Sequence, residues 1–516
     1  MSAPVKRSEE KIETESSSSA LATYELKDRV NPEIVLGFVG PIGSGVTSVA
    51  EEFERILKED FGYKTQFHKV SNVIRDCSNM VADPKDVAES GAERTRDLQE
   101  LGNSLRNKFG SDYLTKKVIE KVALSRKADG GYVEPASDSQ VSPPVGIRRA
   151  ILIDSIKHPS EFNLLRQVYG DSFWLIAVFA PEDVRKNRLE KNGSNGDTLD
   201  QIIRHDEDEK EEFGQKVRDT SHLADFFIRN DGAANKFKTT SARFLDLIFG
   251  TEIVPPTRDE WAMAEAMTAA ARSSCLSRSV GAAIVSEPGE MIGLGWNDVP
   301  KYGGSLYEDN DRDNDHRCFR HAMGICHNDD NKGKIYDEIV STLKDSGCLD
   351  NTIDDNVVRE MVSKSKIKNL IEFSRAVHAE MEAIVSVARG GKNGLVGSTL
   401  YSTAYPCHSC ARHIVAAGID KVTYIEPYPK SLALRLHDDA ICADTSASNK
   451  VQFLQYEGVA PRNVERLFNS GAPRKQGGRA IVVSKKSALP AVMPPLDGFT
   501  HREMLIVNQV EGMENK

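Results

Sequence analysis

Four residues in the C-terminal half have the types and spacing that metal-assisted hydrolysis needs. His378 and Glu380 lie in Val377-His378-Ala379-Glu380, and Cys407 and Cys410 lie in Tyr405-Pro406-Cys407-His408-Ser409-Cys410, about thirty residues later. One imidazole and two thiolates give a tetrahedral Zn2+ three protein ligands and leave its fourth position for water. Zn2+ lowers the pKa of that water to about 7, so hydroxide is available at neutral pH. A carboxylate must then carry the proton from water to the acceptor atom and on to the leaving group. Glu380, two residues past the histidine, is placed to do this without ligating. The two cysteines, three apart, converge on one point if Pro406 ends a loop and Cys407 opens a helix, whose N-terminus also favours thiolate. A C-x-x-C alone reads equally as a zinc knuckle or a redox pair. The H-x-E before it and the proline beside it make catalytic zinc the more specific reading.

The flanking sequence supplies elements to hold these groups. Met381, Ala383, Ile384, Val385, Val387 and Ala388 form an apolar helical pattern after Glu380. Thr399 to Thr403 reads as a strand feeding the Pro406-Cys407 turn. Upstream, Arg258 to Arg272 is an Ala/Met-rich helix, and 282–285 with 290–295 reads as a hairpin ending at Trp296-Asn297. Lys421 to Ile425 is a further strand, followed by a loop that carries Tyr428 and Lys430.

With these pieces in view, residues from about 257 to 465 resemble deoxycytidylate deaminases. The resemblance rests on the H-x-E and P-C-x-x-C segments, on Ala271 to Ala282, and on Gly295-Trp296-Asn297-Asp298-Val299-Pro300. The whole chain resembles the bacterial two-domain anti-phage deoxycytidine nucleotide deaminases. That resemblance implies hydrolysis of the cyclic amidine at cytosine C4 in dCTP and dCMP. His378, Cys407 and Cys410 would hold zinc and Glu380 would shuttle protons. Asn297 would hold the sugar, the backbone beside Ala404 and Tyr405 would read the base edge, and Arg278, with Lys430, would meet phosphate. It also implies a second, structural zinc, for which Cys275 and the acidic insertion at 302–334 offer candidates: Cys318, His321, Cys326 and His327, with His316 nearby. The spacing leaves the ligand set open. Depletion of dCTP in anti-phage defence, and control by an inhibitory RNA or a regulatory nucleotide, are further implications of the resemblance.

The N-terminal half contains a second chemical motif. Glu33 to Val39 reads as a buried strand running into Gly40-Pro41-Ile42-Gly43-Ser44-Gly45-Val46-Thr47-Ser48, and Val49 to Leu57 reads as a helix. Strand, glycine-rich turn and helix together are the context of a phosphate-binding loop, whose backbone N–H groups cradle phosphate oxygens. The full pattern requires lysine where this chain has Val46, and that lysine normally meets the β- and γ-phosphates. Nucleotide binding is therefore expected here and phosphoryl transfer is not. The residues in question are Gly40, Gly43, Ser44, Gly45, Val46 and Thr47, with Thr47 available to Mg2+. Asp154, ending the strand Ala150 to Asp154, is placed like a Walker B acid. Phe173 to Ala180 is a strand buried on both faces, Arg185 and Arg188 lie one turn apart on a following helix, and Ala224 to Gly232 holds a late strand. Helical stretches between these strands imply a parallel sheet. The competing reading is that the glycines only permit close strand–helix packing and that the arginines sit on a solvated face.

At 516 residues the chain is too long for one ordinary domain. The expected order is a disordered tail at 1–30, a P-loop nucleotide-kinase-like domain at 31–252, a zinc deaminase domain at 257–467 and a C-terminal extension at 468–516. Residues 126–147 read as a surface excursion. The extension is expected to pack on a neighbouring subunit of a homo-oligomer. The fold class is α/β: a P-loop parallel-sheet domain followed by a cytidine-deaminase-like α/β/α domain. A formal charge of −10 argues against a nucleic-acid-coating surface. No membrane span or secretory segment is expected, and the eight scattered cysteines fit a cytoplasmic protein. Two competing functions remain open. One is an RNA or single-stranded DNA deaminase, which needs a cationic track with stacking aromatics. The other is a nucleotide-sensing binding protein with an inert zinc.

Overall fold

The computed structural model describes residues 31–81, 87–129, 146–191, 197–207, 213–231, 236–350, 352–428, 430–444, 449–469, 473–493 and 496–515. The 1–30 tail and most of the 126–147 excursion lie outside the described residues.

The N-terminal half is a parallel sheet covered on both faces. Its strands are β1 (Ile34–Val39), β2 (Lys64–Lys69), β3 (Arg149–Asp154), β4 (Phe173–Phe179) and β5 (Phe226–Arg229), in the order β2-β3-β1-β4-β5. β1, β3 and β4 are buried throughout, which is why they read as unbroken apolar runs. Alternation still assigns their side chains: Val35 and Val39 enter one core, and Ile34, Leu36 and Phe38 enter the other. β1 lies between β3 and β4, so the loop after it opens where the strand order switches direction. That loop passes straight into the helix Val46–Glu59.

The second sheet is mixed. β6 (Gly281–Val285) and β7 (Met291–Trp296) form the expected hairpin, β8 (Thr399–Ala404) pairs antiparallel with β6, and β9 (Lys421–Glu426) runs parallel to β8. β10 (Ile441–Cys442) and β11 (Val451–Gln455) extend it, in the order β10-β11-β9-β8-β6-β7. The helix Arg258–Ala270 covers one face and the helices Ala379–Arg389 and His408–Ala416 cover the other. Two glycines let helices approach unusually closely. A Cβ at Gly281 would stand 1.9 Å from Ala266 O, and one at Gly295 would stand 2.2 Å from Ala379 O.

The halves share backbone. β12 (Gly458–Val459) leaves the second sheet and pairs antiparallel with β5 at the edge of the first. The C-terminal helix Leu496–Glu514 packs on the helix Tyr113–Ala128 of its own chain. The reason is electrostatic. Arg126 is fully buried and paired with Glu33, and Glu503 supplies a second carboxylate at 2.9 Å that is itself fully buried. A buried guanidinium of this kind is tolerated only when its donors are taken up.

Candidate active site

His378 is the N-cap of the 379–389 helix and Cys407 the N-cap of the 408–416 helix, so two helix N-termini point at one spot. The Nδ1 of His378 lies 3.4 Å from Cys407 Sγ and 3.3 Å from Cys410 Sγ, and all three ligand atoms fall within 4.8 Å of one another. Metal–ligand lengths of about 2.0–2.3 Å in a tetrahedron require ligand atoms roughly 3.5 Å apart, so this donor set fits Zn2+. Without a cation the three groups titrate as a cluster. Cys407 falls to about 4, through its bond with Cys410 and then His378. Cys410 is held up by Cys407 and by burial, and His378 rises to about 9 through Cys407. A divalent cation replaces the shared protons and leaves two thiolates and a neutral imidazole. The Cys410 N–H donates to Cys407 Sγ at 3.4 Å, which caps the helix and favours the thiolate. Glu380, one turn along, is 4 % exposed, and burial pushes its carboxyl up. Raised basicity suits a group that must accept a proton and release it.

Above these groups lies a cavity of ≈ 170 Å³. Arg278, Asn297, Ala404, Tyr405 and Tyr428 form its walls with His378, Glu380 and Cys407. The structure therefore brings together every residue the sequence nominated around the base and sugar. Lys430 is exposed and is not among the walls. Asn297 is already engaged: it donates from Nδ2 to Arg278 O at 2.8 Å and accepts at Oδ1 from the Val280 N–H at 2.7 Å. It thus shapes the 278–280 wall while facing the cavity. Arg278 is half-exposed and paired with Glu426. Sequence reading passed over Asp298. It is 1 % exposed, accepts from Ser274 N–H and Oγ, and its carbonyl takes the Val377 N–H at 2.9 Å, which fixes the residue before His378. The sequence singled out Asn297, and nothing local marked the aspartate beside it as a brace. Asn328, from the helix His327–Asp345, also lines the cavity and was missed for the same reason.

The second candidate cluster is only partly assembled. Cys275, Cys318, Cys326 and His327 surround a cavity of ≈ 20 Å³, and His327 Nε2 is buried without a partner. His321 turns away and lies against His316, their rings 4.7 Å apart. Among the described residues, the only group of three close ligand atoms is His378, Cys407 and Cys410.

In the N-terminal half, Gly43 and Gly45 both take φ 81, a left-handed backbone that lets the 40–47 loop curl its N–H groups inward. Thr47 Oγ1 donates to Asp154 Oδ2 at 2.7 Å, which places the hydroxyl beside the acid as a Mg2+ site would require. Arg185 and Arg188 are not on a solvated face. Arg188 donates to Gly43 O and Ser44 O, and Arg185 is buried against Glu207.

A His/Cys/Cys donor set beside a buried carboxylate, under a small cavity, is the arrangement of zinc nucleobase deaminases. Comparison with known proteins agrees. Residues 256–426 match the family of the cytidine and deoxycytidylate deaminase zinc-binding region. The deoxycytidylate deaminase of Saccharomyces cerevisiae is 26% identical over 288 residues, covering 53% of this chain and 75% of that one. The deoxycytidylate deaminase of Enterobacteria phage T4 is 44% identical over 55 residues, 11% of this chain and 28% of its own. The N-terminal half is similar to UPF0200 proteins: the UPF0200/UPF0201 protein of Archaeoglobus fulgidus is 24% identical over 204 residues, 39% of this chain. The match spans 52% of that archaeal relative. The chain thus carries a deaminase-type C-terminal domain behind a UPF0200-like half. No helix among the described residues is long and apolar enough to cross a membrane.

Proposed function

We propose that this chain hydrolyses deoxycytidine nucleotides, dCTP and dCMP, to the deoxyuridine nucleotides and ammonia. The observation that carries the reading is the His378/Cys407/Cys410 cluster set beside buried Glu380 at the floor of a closed-sided cavity. The names of the yeast and phage relatives support a deoxycytidylate substrate. Zn2+, when held by His378 Nδ1, Cys407 Sγ and Cys410 Sγ, supplies a Lewis acid and makes water acidic enough to attack at neutral pH. Glu380 takes one proton from the attacking water and delivers it to N3 of the cytosine; it then takes the remaining hydroxyl proton at C4 and passes it to the amine as the C4–N bond breaks and the C4 carbonyl forms. The Tyr405 and Ala404 backbone meets the base edge, Asn297 the sugar and Arg278 the phosphate, the last by exchanging Glu426 for the substrate. The small cavity lined by Cys275, Cys318, Cys326 and His327 would hold a structural zinc in this reading, and the 40–47 loop with Thr47 and Asp154 binds a regulatory nucleotide with Mg2+. In cells, loss of dCTP would starve a replicating phage, as the two-domain resemblance implies.

The test is the purified chain assayed by product mass against dCMP, dCTP, their ribose counterparts and a cytosine oligonucleotide. Conversion of the free deoxynucleotides is expected, and Glu380→Ala should lower it by about 10³-fold or more while zinc stays bound. Turnover on the oligonucleotide alone would replace this reading with polynucleotide deamination. A Glu380→Ala protein as active as wild type would leave Glu380 without its role.

A further inference from the structure

We propose that Lys157 supplies the cation that the 40–47 loop lacks at Val46, and that the Asp206 carboxylate occupies the loop's phosphate seat until a phosphate-bearing ligand displaces it. This deepens the nucleotide-binding reading of the loop and is independent of the deaminase chemistry.

The geometry is specific. Lys157 follows Asp154 by three residues, just past the end of β3, which is paired with β1. The Ile156 N–H donates to Phe38 O at 2.8 Å, so the chain after β3 runs alongside the end of β1. Lys157 Nζ thereby reaches Gly40 O at 3.0 Å, at the root of the loop. The same nitrogen lies 2.8 Å from Asp206 Oδ1, with the two side chains 16% and 3% exposed. Asp206 belongs to the helix Asp197–Glu207, and its Oδ2 accepts the Ile42 N–H of the loop at 2.7 Å. A loop of inward N–H groups requires an anion, and here a carboxylate takes part of that place. A second observation points to a ligand. Ser44 is fully buried and its Oγ has no partner. It points into the curl of the loop, 2.7 Å from where a Cβ on Gly40 would stand. Asp206 satisfies Ile42 and Lys157 and leaves this hydroxyl unanswered. A phosphate has enough oxygens to take the place of Asp206 on both groups and to meet Ser44 as well.

One residue of the loop, Pro41, borders a cavity of ≈ 470 Å³ between the two halves, a size suited to a nucleotide. Pro41, Arg185 and Glu207 line one side, and Tyr405 and Tyr428 line the other. Both tyrosines also wall the catalytic cavity. A ligand anchored by phosphate at the loop therefore extends toward the catalytic wall.

The pair sets a signature for the test. A seat held by an internal carboxylate binds external ligand only in the fraction of molecules where the carboxylate has left. Isothermal titration of the full-length protein with magnesium tripolyphosphate, and separately with magnesium ATP, reads this directly. Asp206→Ala should bind tripolyphosphate at least about 10-fold more tightly than wild type, and Asp206→Asn should fall between them. Lys157→Met should weaken binding about 10-fold or more, with Lys157→Arg restoring part of it. ATP binding well above tripolyphosphate identifies a nucleotide as the occupant, and equal binding identifies the polyphosphate group alone. Melting curves establish that each variant is folded, and the two aspartate variants carry the test if Lys157→Met is not. Equal affinity of wild type and Lys157→Met, or no gain in either aspartate variant, would overturn the Lys157–Asp206 assignment and leave the loop reading standing. Absence of binding in wild type and Asp206→Ala alike would overturn both.

Discussion

Gly295→Ala is a one-methyl test of how the site is positioned. Gly295 lies on β7 directly beneath the start of the 379–389 helix. A Cβ there would stand 2.2 Å from Ala379 O and 2.3 Å from Ala383 N, both backbone atoms that cannot rotate aside. Ordinary contact begins at 3.4 Å, so the helix must retreat by about 1 Å. Overpacking of this kind costs about 1–3 kcal/mol of stability. The functional loss should exceed what the stability loss implies, because the first turn of that helix carries Glu380 and its N-cap is His378. A misplacement of about 1 Å at catalytic groups costs about 10²-fold in rate. The measurements are kcat on dCMP and dCTP, zinc content, and a urea melt on the same preparation. A drop in kcat of about 10²-fold at 25 °C in a protein that remains folded is expected. A variant with wild-type kcat, whatever its melt, would show that the glycine only saves space and that helix position tolerates more than argued here.

Two further outcomes are expected. Cys407→Ala should lose one zinc per chain and all deamination. Two zincs in the wild type would support the small cysteine-lined site at Cys275, Cys318 and Cys326, whereas a value of one would dismiss it and leave the catalytic site untouched. Glu503→Ala removes one of the carboxylates that pair with fully buried Arg126 and should cost about 3–5 kcal/mol by urea denaturation, with the C-terminal helix released to proteolysis. A change below about 1 kcal/mol would mean that the pair is solvated in solution.

Local features were legible and distant ones were not. The His378/Cys407/Cys410 cluster could be read because each member sits at the start of a helix beside the residues that make it a start. The interior strands could be read because parallel strands covered on both faces become apolar runs. Val46 stands where the phosphate-loop pattern has lysine, and the proposed substitute for that lysine was out of reach of the sequence. Lys157 is 117 residues from its partner Gly40, and Asp206 is 164 residues from Ile42. No spacing rule links such positions. The charged helix left Arg188 open between a role at the loop and a solvated face, and the loop carbonyls draw it in. β12 is two residues long and carries no period at all. His321 was grouped with the cysteines by proximity in sequence, and the fold sends it to His316 instead.

The boundary that sequence places at 254–257 is therefore not a line along which this protein divides. Glu260, fully buried at the start of the 258–270 helix, takes two bonds from Arg243 of the first half and one from the Val459 N–H. Asp225, beside β5, accepts from Arg166 and the Leu175 N–H in its own half and from Arg462 and Asn463 in the other. Each carboxylate thus serves both halves, and removing either half would strip a buried charge of part of its hydrogen bonding, at a cost of several kcal/mol. The seam also leads to the catalytic wall. β12 follows β11, β11 pairs with β9, and β9 ends at the loop bearing Tyr428. Just before β12, within the second sheet, the Tyr456 N–H is bonded to Tyr424 O at 2.7 Å. A displacement at the end of β4 or β5, where a ligand on the 40–47 loop would press, has a continuous path of packed backbone to Tyr405 and Tyr428. Coupling between two sites amounts to about 1–3 kcal/mol in typical proteins. A seam held by two shared carboxylates and one shared strand can transmit that much only while the chain is whole.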